Sequence, residues 1–328
     1  MGVKHSTLHD WYKNHLSGFH TDTEQKELHR YDIPPLVREQ ENIAVPIVKP
    51  DNVGYSMAID EKYINGRFYT LLTNNKTGKI ALMAASISKQ DIDIAMQYLG
   101  DKRFDVKYLT RDLSNTFDWV GRTNFMNACH IADKFHILRH LFEALHDLRI
   151  YYRQKWLTKK REAQQQARQE NKVYKKSKEE TLENGDTHAE LLARSIYLLY
   201  KRKEDWSISQ ANRAKVLFQH YPSIEKAYQL SLQFRSWYIK TNVGKHIEQI
   251  KEQLYKWYEQ VESHGIIELL NFKAMVIKHE GVICNYFING MTNAKAEAIN
   301  RVIQSILTTH VSTRNINFAH FRIKKLLA

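Results

Sequence analysis

Three short apolar runs around residue 60 constrain the fold of this chain more than any other feature. The runs cover residues 55–60, 67–73 and 79–85. Polar turns at 61–66 and 74–78 separate them, and Asn-rich, Gly-bearing turns between apolar runs are typical of β-hairpins. The pattern predicts an antiparallel meander in which Asp60 ends the first strand. A carboxylate there can face a cleft while its strand stays in the core, so Asp60 is a candidate metal ligand.

Strand and helix patterns alternate from the meander to residue 136. A helix capped by Ser88 is expected first. A fourth strand at 106–111 then leads to Asp112, and a fifth strand at 127–132 follows a short helix. This order is that of the ribonuclease H-like fold, an α/β fold built on a mixed sheet. In that fold, acids at the ends of the first and fourth strands lie side by side.

A long helical segment follows the fifth strand. Residues 137–286 carry apolar positions at helical spacing, and their charged stretch at 161–180 is either a solvated helix or a flexible loop. The chain then returns to an apolar helix that carries Glu297. We therefore expect four parts: an N-terminal arm or linker (1–52), the first part of the core (53–136), an all-helical insertion (137–286), and a C-terminal catalytic helix with its tail (287–328).

The chain is strongly basic. Its 49 Lys and Arg residues against 36 Asp and Glu residues give a formal net charge of +13. This excess favours a polyanionic partner, with nucleic acid as the default, although a basic and inert surface would give the same value. The two cysteines, Cys129 and Cys284, form no Cys-x-x-Cys pair, which excludes a disulfide framework and a Cys-rich zinc module. With no signal peptide and no apolar run long enough to cross a bilayer, we expect a soluble, cytoplasmic protein.

Three carboxylates stand where a nuclease would need them. Asp60 and Asp112 end predicted strands, and Glu297 lies on the late helix. Two-metal phosphodiester cleavage needs hard oxygen ligands that hold two Mg²⁺ or Mn²⁺ ions close together. Each acid alone is a weak signal among 36, because an acid at a strand end is usually a solvated cap. Their combination with the strand order and the basic charge favours a metal-dependent site that acts on DNA.

Six sequence words occur in one order around these acids. They are Ala-Ile-Asp-Glu (58–61), Thr-Arg-Asp-Leu-Ser (110–114), Ala-Asp-Lys-Phe-His (132–136), Gly-Val-Ile-Cys-Asn-Tyr-Phe (281–287), Thr-Asn-Ala-Lys-Ala-Glu-Ala-Ile-Asn (292–300) and Asn-Phe-Ala-His-Phe-Arg (317–322). The set resembles the bacterial DDE insertion-sequence transposases of the ISL-three group, over about residues 53–328. The Asp-Lys-Phe-His and Asn-x-x-x-Glu-x-x-Asn words make this resemblance specific.

The resemblance implies that Asp60, Asp112 and Glu297 form a catalytic, metal-binding triad. It also implies a helical insertion before the Glu, DNA as the partner (transposon ends and target), and a homo-oligomer on paired ends. Members commonly carry an N-terminal zinc-binding and helix-turn-helix region that reads the transposon end, and this sequence departs from them there. We therefore expect either a separate end-recognition polypeptide or a truncated chain.

Two pairs of residues beside the triad have open interpretations. Asp133 and His136 match the family's Asp-x-x-His word, where His136 can orient a ligand or a phosphate. Equally, Asp133 can cap the next helix while His136 is simply packed. Asn293 and Asn300 flank Glu297 on about one helical face, where they can bond to Glu297, contact phosphate or satisfy the edge of the core.

Basic residues near the C-terminus are candidates for DNA contacts. They are Lys295, Arg301, Arg314, Arg322, Lys324 and Lys325. Many helices end with Lys or Arg for solvation alone, and residues 314–325 can equally form an amphipathic closing helix. We further expect Asp118, on the helix after Asp112, to be solvated.

These patterns predict a DDE transposase that cuts transposon ends and joins the freed 3′-hydroxyl to target DNA. Two alternatives stay open. A ribonuclease H-like nuclease would cut without joining, so strand-transfer products separate it from a transposase. A non-catalytic, transposase-derived protein would bind DNA and cleave it under no condition.

Overall fold

The computed structural model describes residues 5–21, 44–170, 181–308 and 315–328. The chain divides into two units. The first comprises Met1–Lys134 with Met291–Ala328, and the second comprises Phe135–Gly290. None of the helices in the described ranges is long and apolar enough to cross a membrane.

A mixed six-stranded sheet lies at the centre of the first unit. Its strands are β1 (Ile47–Val48), β2 (Ser56–Ile64), β3 (Arg67–Asn74), β4 (Ile80–Ala84), β5 (Tyr108–Arg111) and β6 (Cys129–Ala132). Their order is β1-β4-β3-β2-β5-β6. β2, β3 and β4 pair antiparallel, β1 pairs antiparallel with β4, and the β2–β5 and β5–β6 pairs are parallel. The predicted meander and the mixed α/β sheet are confirmed.

Helices surround the sheet and make up the second unit. In chain order they are α1 (His5–Trp11), α2 (Lys89–Gln97), α3 (Asn115–Asn124), α4 (Lys134–Gln169), α5 (His188–Arg194), α6 (Ile196–Tyr200), α7 (Ile208–His220), α8 (Pro222–Trp237), α9 (Ile247–His264), α10 (Ile267–Lys278), α11 (Glu280–Cys284), α12 (Tyr286–Asn289), α13 (Ala294–Thr308) and α14 (Ile316–Leu327). A π-helical turn, Tyr12–Leu16, continues α1. Short 3₁₀ turns lie at Pro50–Asn52, Gly100–Asp105, Lys203–Asp205 and Lys240–Asn242.

The first hairpin differs from its prediction. The turn is not 61–66 but only Asn65 and Gly66, whose φ angles of 47° and 82° are both positive. A two-residue turn with both φ angles positive matches the twist of the flanking strands, so β2 continues to Ile64. Asp60 therefore lies within the strand rather than at its end.

The segment before the meander also contributes to the sheet. Sequence analysis placed residues 1–52 in an arm or linker, yet Ile47 pairs with Met83 to make β1 the edge strand beside β4. An edge position suits this segment because prolines, here Pro46 and Pro50, are tolerated at edges and strand starts. Ile47 is fully buried, which explains why so short a strand is retained.

Alternate residues of β2 pack on opposite faces of the sheet. Met57 and Ile59 belong to an apolar cluster that residues of α2 and α3 complete. Ile64 belongs to a second cluster, with residues of α13 and α14. Because side chains alternate along a strand, Asp60 shares the face of Ile64 and is directed to the α13 side.

Two serine caps begin the helices on the other face. Ser88 accepts a hydrogen bond from the N–H of Asp91 at 3.2 Å, which confirms the predicted cap of α2. Ser114 accepts one from the N–H of Phe117 at 3.1 Å and begins α3. Because Ser114 follows β5 so closely, its cap also defines the path of the chain around Asp112.

The described residues of the second unit pack around aromatic side chains. The Phe234 ring lies 5.2 Å from Trp237 and 5.0 Å from Trp257, between ring centroids. The indole N–H of Trp237 donates to the Ile250 carbonyl and that of Trp257 to the Leu230 carbonyl, both at 2.9 Å. A buried indole needs such a partner, so these bonds hold both rings in the core. Of the charged stretch 161–180, residues 161–169 lie in α4 and 171–180 lie outside the described residues.

Candidate active site

The register of the parallel strands brings Asp60 and Asp112 together. Ala58 on β2 pairs with Thr110 on β5. The same register two residues further sets Asp60 opposite Asp112. Neighbouring residues in a parallel pair lie about 4.8 Å apart and direct their side chains to the same face. Continued by two residues, the register of Ala58 and Thr110 predicts that the two carboxylates lie beside each other on the α13 side of the sheet.

Asp133 continues this row on the next strand. Arg111 on β5 pairs with Ala132 on β6, so the following residues, Asp112 and Asp133, are also neighbours. The N–H of Asp133 donates to the Arg111 carbonyl at 2.7 Å, which extends the ladder by one bond. The Asp133 side chain is buried, with 3% of the residue exposed. Asp60 on β2, Asp112 just after β5 and Asp133 just after β6 thus follow the same order as the three neighbouring strands.

Asn300 holds the Asp60 carboxylate in place. The Nδ2 amide of Asn300 donates to Asp60 Oδ2 at 2.6 Å, across 240 residues of sequence. The N–H of Glu61 donates to Asp60 Oδ1 at 2.8 Å. Both carboxylate oxygens therefore have an amide donor, and Asn300 connects α13 directly to the row of aspartates.

Asp112 is oriented by its own turn. The N–H of Ser114 donates to Asp112 Oδ1 at 2.8 Å. Arg111, which is 1% exposed, donates to the Asp112 carbonyl at 3.0 Å and pairs with Asp118 on α3. Burial lowers the pKa of Arg111, and the negative charge of Asp118 opposes that shift. Asp118, which was expected to be solvated, keeps 32% of its side chain exposed, and it also pairs with Arg122 at 3.0 Å.

Glu297 lies one helical turn before Asn300 on α13. Its N–H donates to the Asn293 carbonyl at 2.9 Å. Lys295 reaches the β3–β4 turn, where its Cδ lies 3.8 Å from the position a Cβ on Gly78 would occupy. Glu297 is about 200° around the helix from Lys295, at 100° per residue. The side chains of Glu297 and Lys295 therefore leave α13 in nearly opposite directions.

The described residues only partly form a metal site. No group of three or more His, Cys, Asp or Glu side chains in the described ranges is arranged to hold a metal ion. The neighbouring Asp60 and Asp112 nonetheless supply hard oxygen donors of the kind that Mg²⁺ prefers. The Oδ1 atoms of Asn293 and Asn300 are buried and accept no hydrogen bond. Such oxygens beside a row of carboxylates would be satisfied by a cation or its bound water, so the donor set fits a hard divalent ion.

Asn75 is a site residue that sequence analysis missed. Its Nδ2 amide donates to Ser56 Oγ at 3.1 Å and to Thr110 Oγ1 at 3.0 Å, joining β2 to β5 behind the aspartates. Ser56 Oγ lies 3.0 Å from Met291 Sδ, which brings the segment before α13 onto the same face. The only available signal was an Asn-Asn pair in a turn, which gives no indication of the strands it bridges.

The basic residues that were predicted to contact DNA differ in their exposure. Lys295 and Arg301 are exposed on α13, and Arg322 is partly buried on α14. Lys325 donates to the Ser17 carbonyl at 2.8 Å and so holds the N-terminal segment. Lys324 is also partly buried. Arg314 lies outside the described residues.

His136 lies in the second unit, whereas Asp133 belongs to the first. The His136 ring lies 5.9 Å from that of Phe135, measured between centroids. The amphipathic closing helix, one of the two interpretations of the tail, is present as α14. It buries residues such as Phe318, Phe321 and Ile323.

One comparison with known proteins gave a match. A model of the DDE family of the ISL-three group, described as a transposase, matches residues 57–323. This match spans the three aspartates, Glu297 and Asn300. Neither the curated proteins nor the solved structures gave a match.

Proposed function

Because this chain belongs to the ISL-three group of DDE transposases, we propose that it cuts DNA at transposon ends and joins the freed 3′-hydroxyl to target DNA. One observation carries this proposal. Ala58, two residues before Asp60, pairs with Thr110, two residues before Asp112, and Asn300, one turn from Glu297, donates to Asp60 at 2.6 Å. Three parts of the chain that are distant in sequence thereby meet at one group of carboxylates.

The strand order supports a ribonuclease H-like core for this chemistry. Without the edge strand β1, the order is β4-β3-β2-β5-β6, with three antiparallel strands followed by two parallel ones. This is the arrangement that the sequence pattern predicts. The helices α4 to α12 then constitute the insertion between the fifth core strand and the catalytic helix α13.

Asp60, Asp112 and Glu297 are the proposed ligands of two Mg²⁺ or Mn²⁺ ions. When bound, such ions activate the attacking oxygen and stabilise charge on the leaving oxygen. Asn300 and the N–H groups of Glu61 and Ser114 orient the two aspartates before any ion arrives. Asp133, the third of these carboxylates, adds negative charge that favours a divalent cation. His136, from the same Asp-Lys-Phe-His motif, is proposed to contact the scissile phosphate.

The two proposed reactions have the same form at phosphorus. In cleavage, a water oxygen bonds to phosphorus as the bond to the 3′-oxygen breaks, which leaves a 3′-hydroxyl. In joining, that 3′-hydroxyl attacks a phosphodiester of the target, and a target 3′-oxygen leaves. Because both nucleophiles are oxygens that lose a proton, one site can serve both steps.

DNA is the proposed partner. The net charge of +13 favours a sequence-independent attraction to phosphate that weakens with salt. Lys295 and Arg301 are exposed on the helix that carries Glu297, and Arg322 and Lys324 lie on α14. We further propose a homo-oligomer on paired ends, end recognition by a separate polypeptide or a further segment, and action in the bacterial cytoplasm.

Metal binding tests the proposal directly. Isothermal titration with Mn²⁺ in the presence of DNA should show binding to wild type and its loss in Asp60→Asn. Asp105→Asn is the matched control, because Asp105 is an exposed acid just before β5. Plasmid nicking should follow the same pattern. Equal binding by wild type and Asp60→Asn, or binding by neither, would contradict the carboxylate site.

The second candidate is a non-catalytic DNA-binding protein derived from a transposase. It is favoured by one observation, namely that the described residues form no group of three metal-binding side chains. DNA binding that persists in EDTA, together with no nicking in Mg²⁺ or Mn²⁺, would support it. A nuclease that cuts without joining would instead nick plasmid and give no strand-transfer product from a labelled 3′ end.

A further inference from the structure

A cavity opens in the first unit beside the β2–β3 hairpin. Its volume is about 480 Å³, within the range of small-ligand sites. Residues 44–46 form one described wall, Arg67 and Tyr69 of β3 form another, and Asn317 and His320 of α14 form the third. Sequence analysis assigned no role to this group, although the last two belong to the Asn-Phe-Ala-His-Phe-Arg word.

The described lining of this cavity contains a cation and no carboxylate. Arg67 is exposed and forms no ion pair with the described residues. His320 Nε2 lies 3.1 Å from the hydroxyl of Tyr69, a residue that is 2% exposed. Burial and the nearby charge of Arg67 lower the pKa of His320 to about 4, so its ring is neutral at physiological pH. Arg67 therefore supplies an uncompensated positive charge to a cavity with several polar groups.

We propose that this cavity binds a backbone phosphate of DNA outside the cleavage site, which rests on the proposed function for the identity of the ligand. A guanidinium group matches phosphate geometry through paired N–H donors. The side chain of Asn317 and the first turn of α14 provide further donors and a partial positive charge next to Arg67. A phosphate would supply the counter-charge that the described lining lacks.

The distance between Arg67 and Asp60 can be derived from the β2–β3 hairpin. Arg67 pairs with Ile64, which follows Asp60 on β2 by four residues. At about 3.3 Å per residue, this is roughly 13 Å along the strand. Residues 44–46 of the cavity lining precede the edge strand β1, whereas Asp112 follows β5 on the other side of β2. At about 3.4 Å per base step, the distance between Arg67 and Asp60 corresponds to roughly four base steps of a duplex.

The test is duplex binding by Arg67→Gln, measured by fluorescence anisotropy in EDTA over a range of salt concentrations. We expect the Kd to rise about fivefold and the slope of log K against log salt to fall by about one. Arg67→Lys should lose part of the affinity while keeping the slope. Lys107→Gln is the matched control, because Lys107 is exposed at the opposite end of β5 from Asp112. It should change Kd by less than about twofold.

Each result has a distinct meaning. If Arg67→Gln and Lys107→Gln behave alike while wild type binds duplex, the cavity inference is overturned and the proposed function is not. If wild type binds no duplex at any salt, the proposed function fails and takes this inference with it. If a nucleoside monophosphate at micromolar concentration displaces DNA from wild type but not from Arg67→Gln, the cavity is a nucleotide site and the DNA assignment is overturned.

Discussion

Carboxylates are held in different ways in the two units. In the second unit, Asp186 is 3% exposed and pairs with Arg194 and Arg213, with Asn184 also donating to it at 2.8 Å. In the first unit, Asp112 accepts the N–H of Ser114, and no basic side chain described in that unit forms an ion pair with it. Asp186 is thus neutralised by two direct ion pairs, whereas Asp112 forms no ion pair among the described residues and has only the nearby charge of Arg111.

This difference separates a structural role from a functional one. Burial raises the pKa of Asp186, but the hydrogen bonds and charges of Arg213 and Arg194 outweigh burial, so its pKa is lowered overall. Asp186 thereby ties the turn before α5 to α5 and α7. Asp112 instead has no direct ion pair with a described basic side chain, and its Oδ1 accepts only the N–H of Ser114 among the described donors. A carboxylate without an ion pair of its own is available to a hard cation, which fits the proposed metal ligand.

The largest expected effect on activity comes from Asp112→Asn. Because the change removes a proposed metal ligand, metal-dependent nicking should fall by about 10³-fold or more. Because the Asn oxygen can still accept the N–H of Ser114, and no described ion pair is lost, the free energy of unfolding should stay within about 1 kcal/mol of wild type. Plasmid nicking and urea unfolding measure the two quantities.

Asp105→Asn serves as the control in both assays and should resemble wild type. The comparison between the units breaks if Asp112→Asn lowers the free energy of unfolding by several kcal/mol. In that case Asp112 would be a structural carboxylate like Asp186, and its loss of activity would reflect unfolding.

Asp186→Asn should show the converse pattern. Removing the carboxylate leaves Arg213 without its described ion-pair partner and Arg194 with only Glu190, so the free energy of unfolding of the second unit should fall by about 3 kcal/mol. Urea unfolding measures this loss, and nicking by the folded protein should stay close to wild type. Glu190→Gln is the control, since Glu190 is an exposed partner of Arg194 and its loss should cost less than about 1 kcal/mol.

The stabilising contribution of Asp186 should depend on pH in the acidic range. Because the folded pKa of Asp186 is lowered, its stabilising contribution is complete above the unfolded pKa of about 3.9 and is lost as pH falls through the folded value. Asp186→Asn should therefore lose less stability than wild type in that acidic window. If the free energy of unfolding falls equally with pH in wild type and Asp186→Asn, the ion pairs of Asp186 are not the source of this stability.

A smaller effect is expected from Asn300→Ala. The change removes one donor from Asp60 without removing a ligand, so Mn²⁺ affinity and nicking should fall by about 10- to 100-fold. Titration calorimetry measures the affinity. Gln304→Ala is the control, because Gln304 is exposed on the same helix. Identical values for the two variants would remove Asn300 from the site.

The smallest expected effect is the gain in the free energy of unfolding when Mn²⁺ is added. Mn²⁺ at ten times its Kd should stabilise wild type by about 1.4 kcal/mol. Asp186→Asn should gain the same increment although it starts from a lower stability. Asp112→Asn should gain none. Urea unfolding with and without Mn²⁺ measures all three, and an equal gain in Asp112→Asn would locate the ion elsewhere.

Local patterns were sufficient for much of the first unit. Period-two apolar runs predicted the meander, and Ser88 marked the start of α2 because capping depends on residues within one turn. The length of β2 was underestimated because the Asn65-Gly66 pair was treated as part of a longer turn. Asn75 was missed because its partner Thr110 is 35 residues away and belongs to another strand.

The sequence by itself determined which side chains are available: the basic charge, the candidate acids and the family words around them. It also determined the local elements, because helix and strand preferences depend on neighbours within a few residues. Only the tertiary structure decided that Asp133 joins the row of Asp60 and Asp112, and that Asn300 reaches Asp60 across 240 residues. The reason is that register and helix placement depend on how distant apolar faces pack together, and no local pattern contains that information.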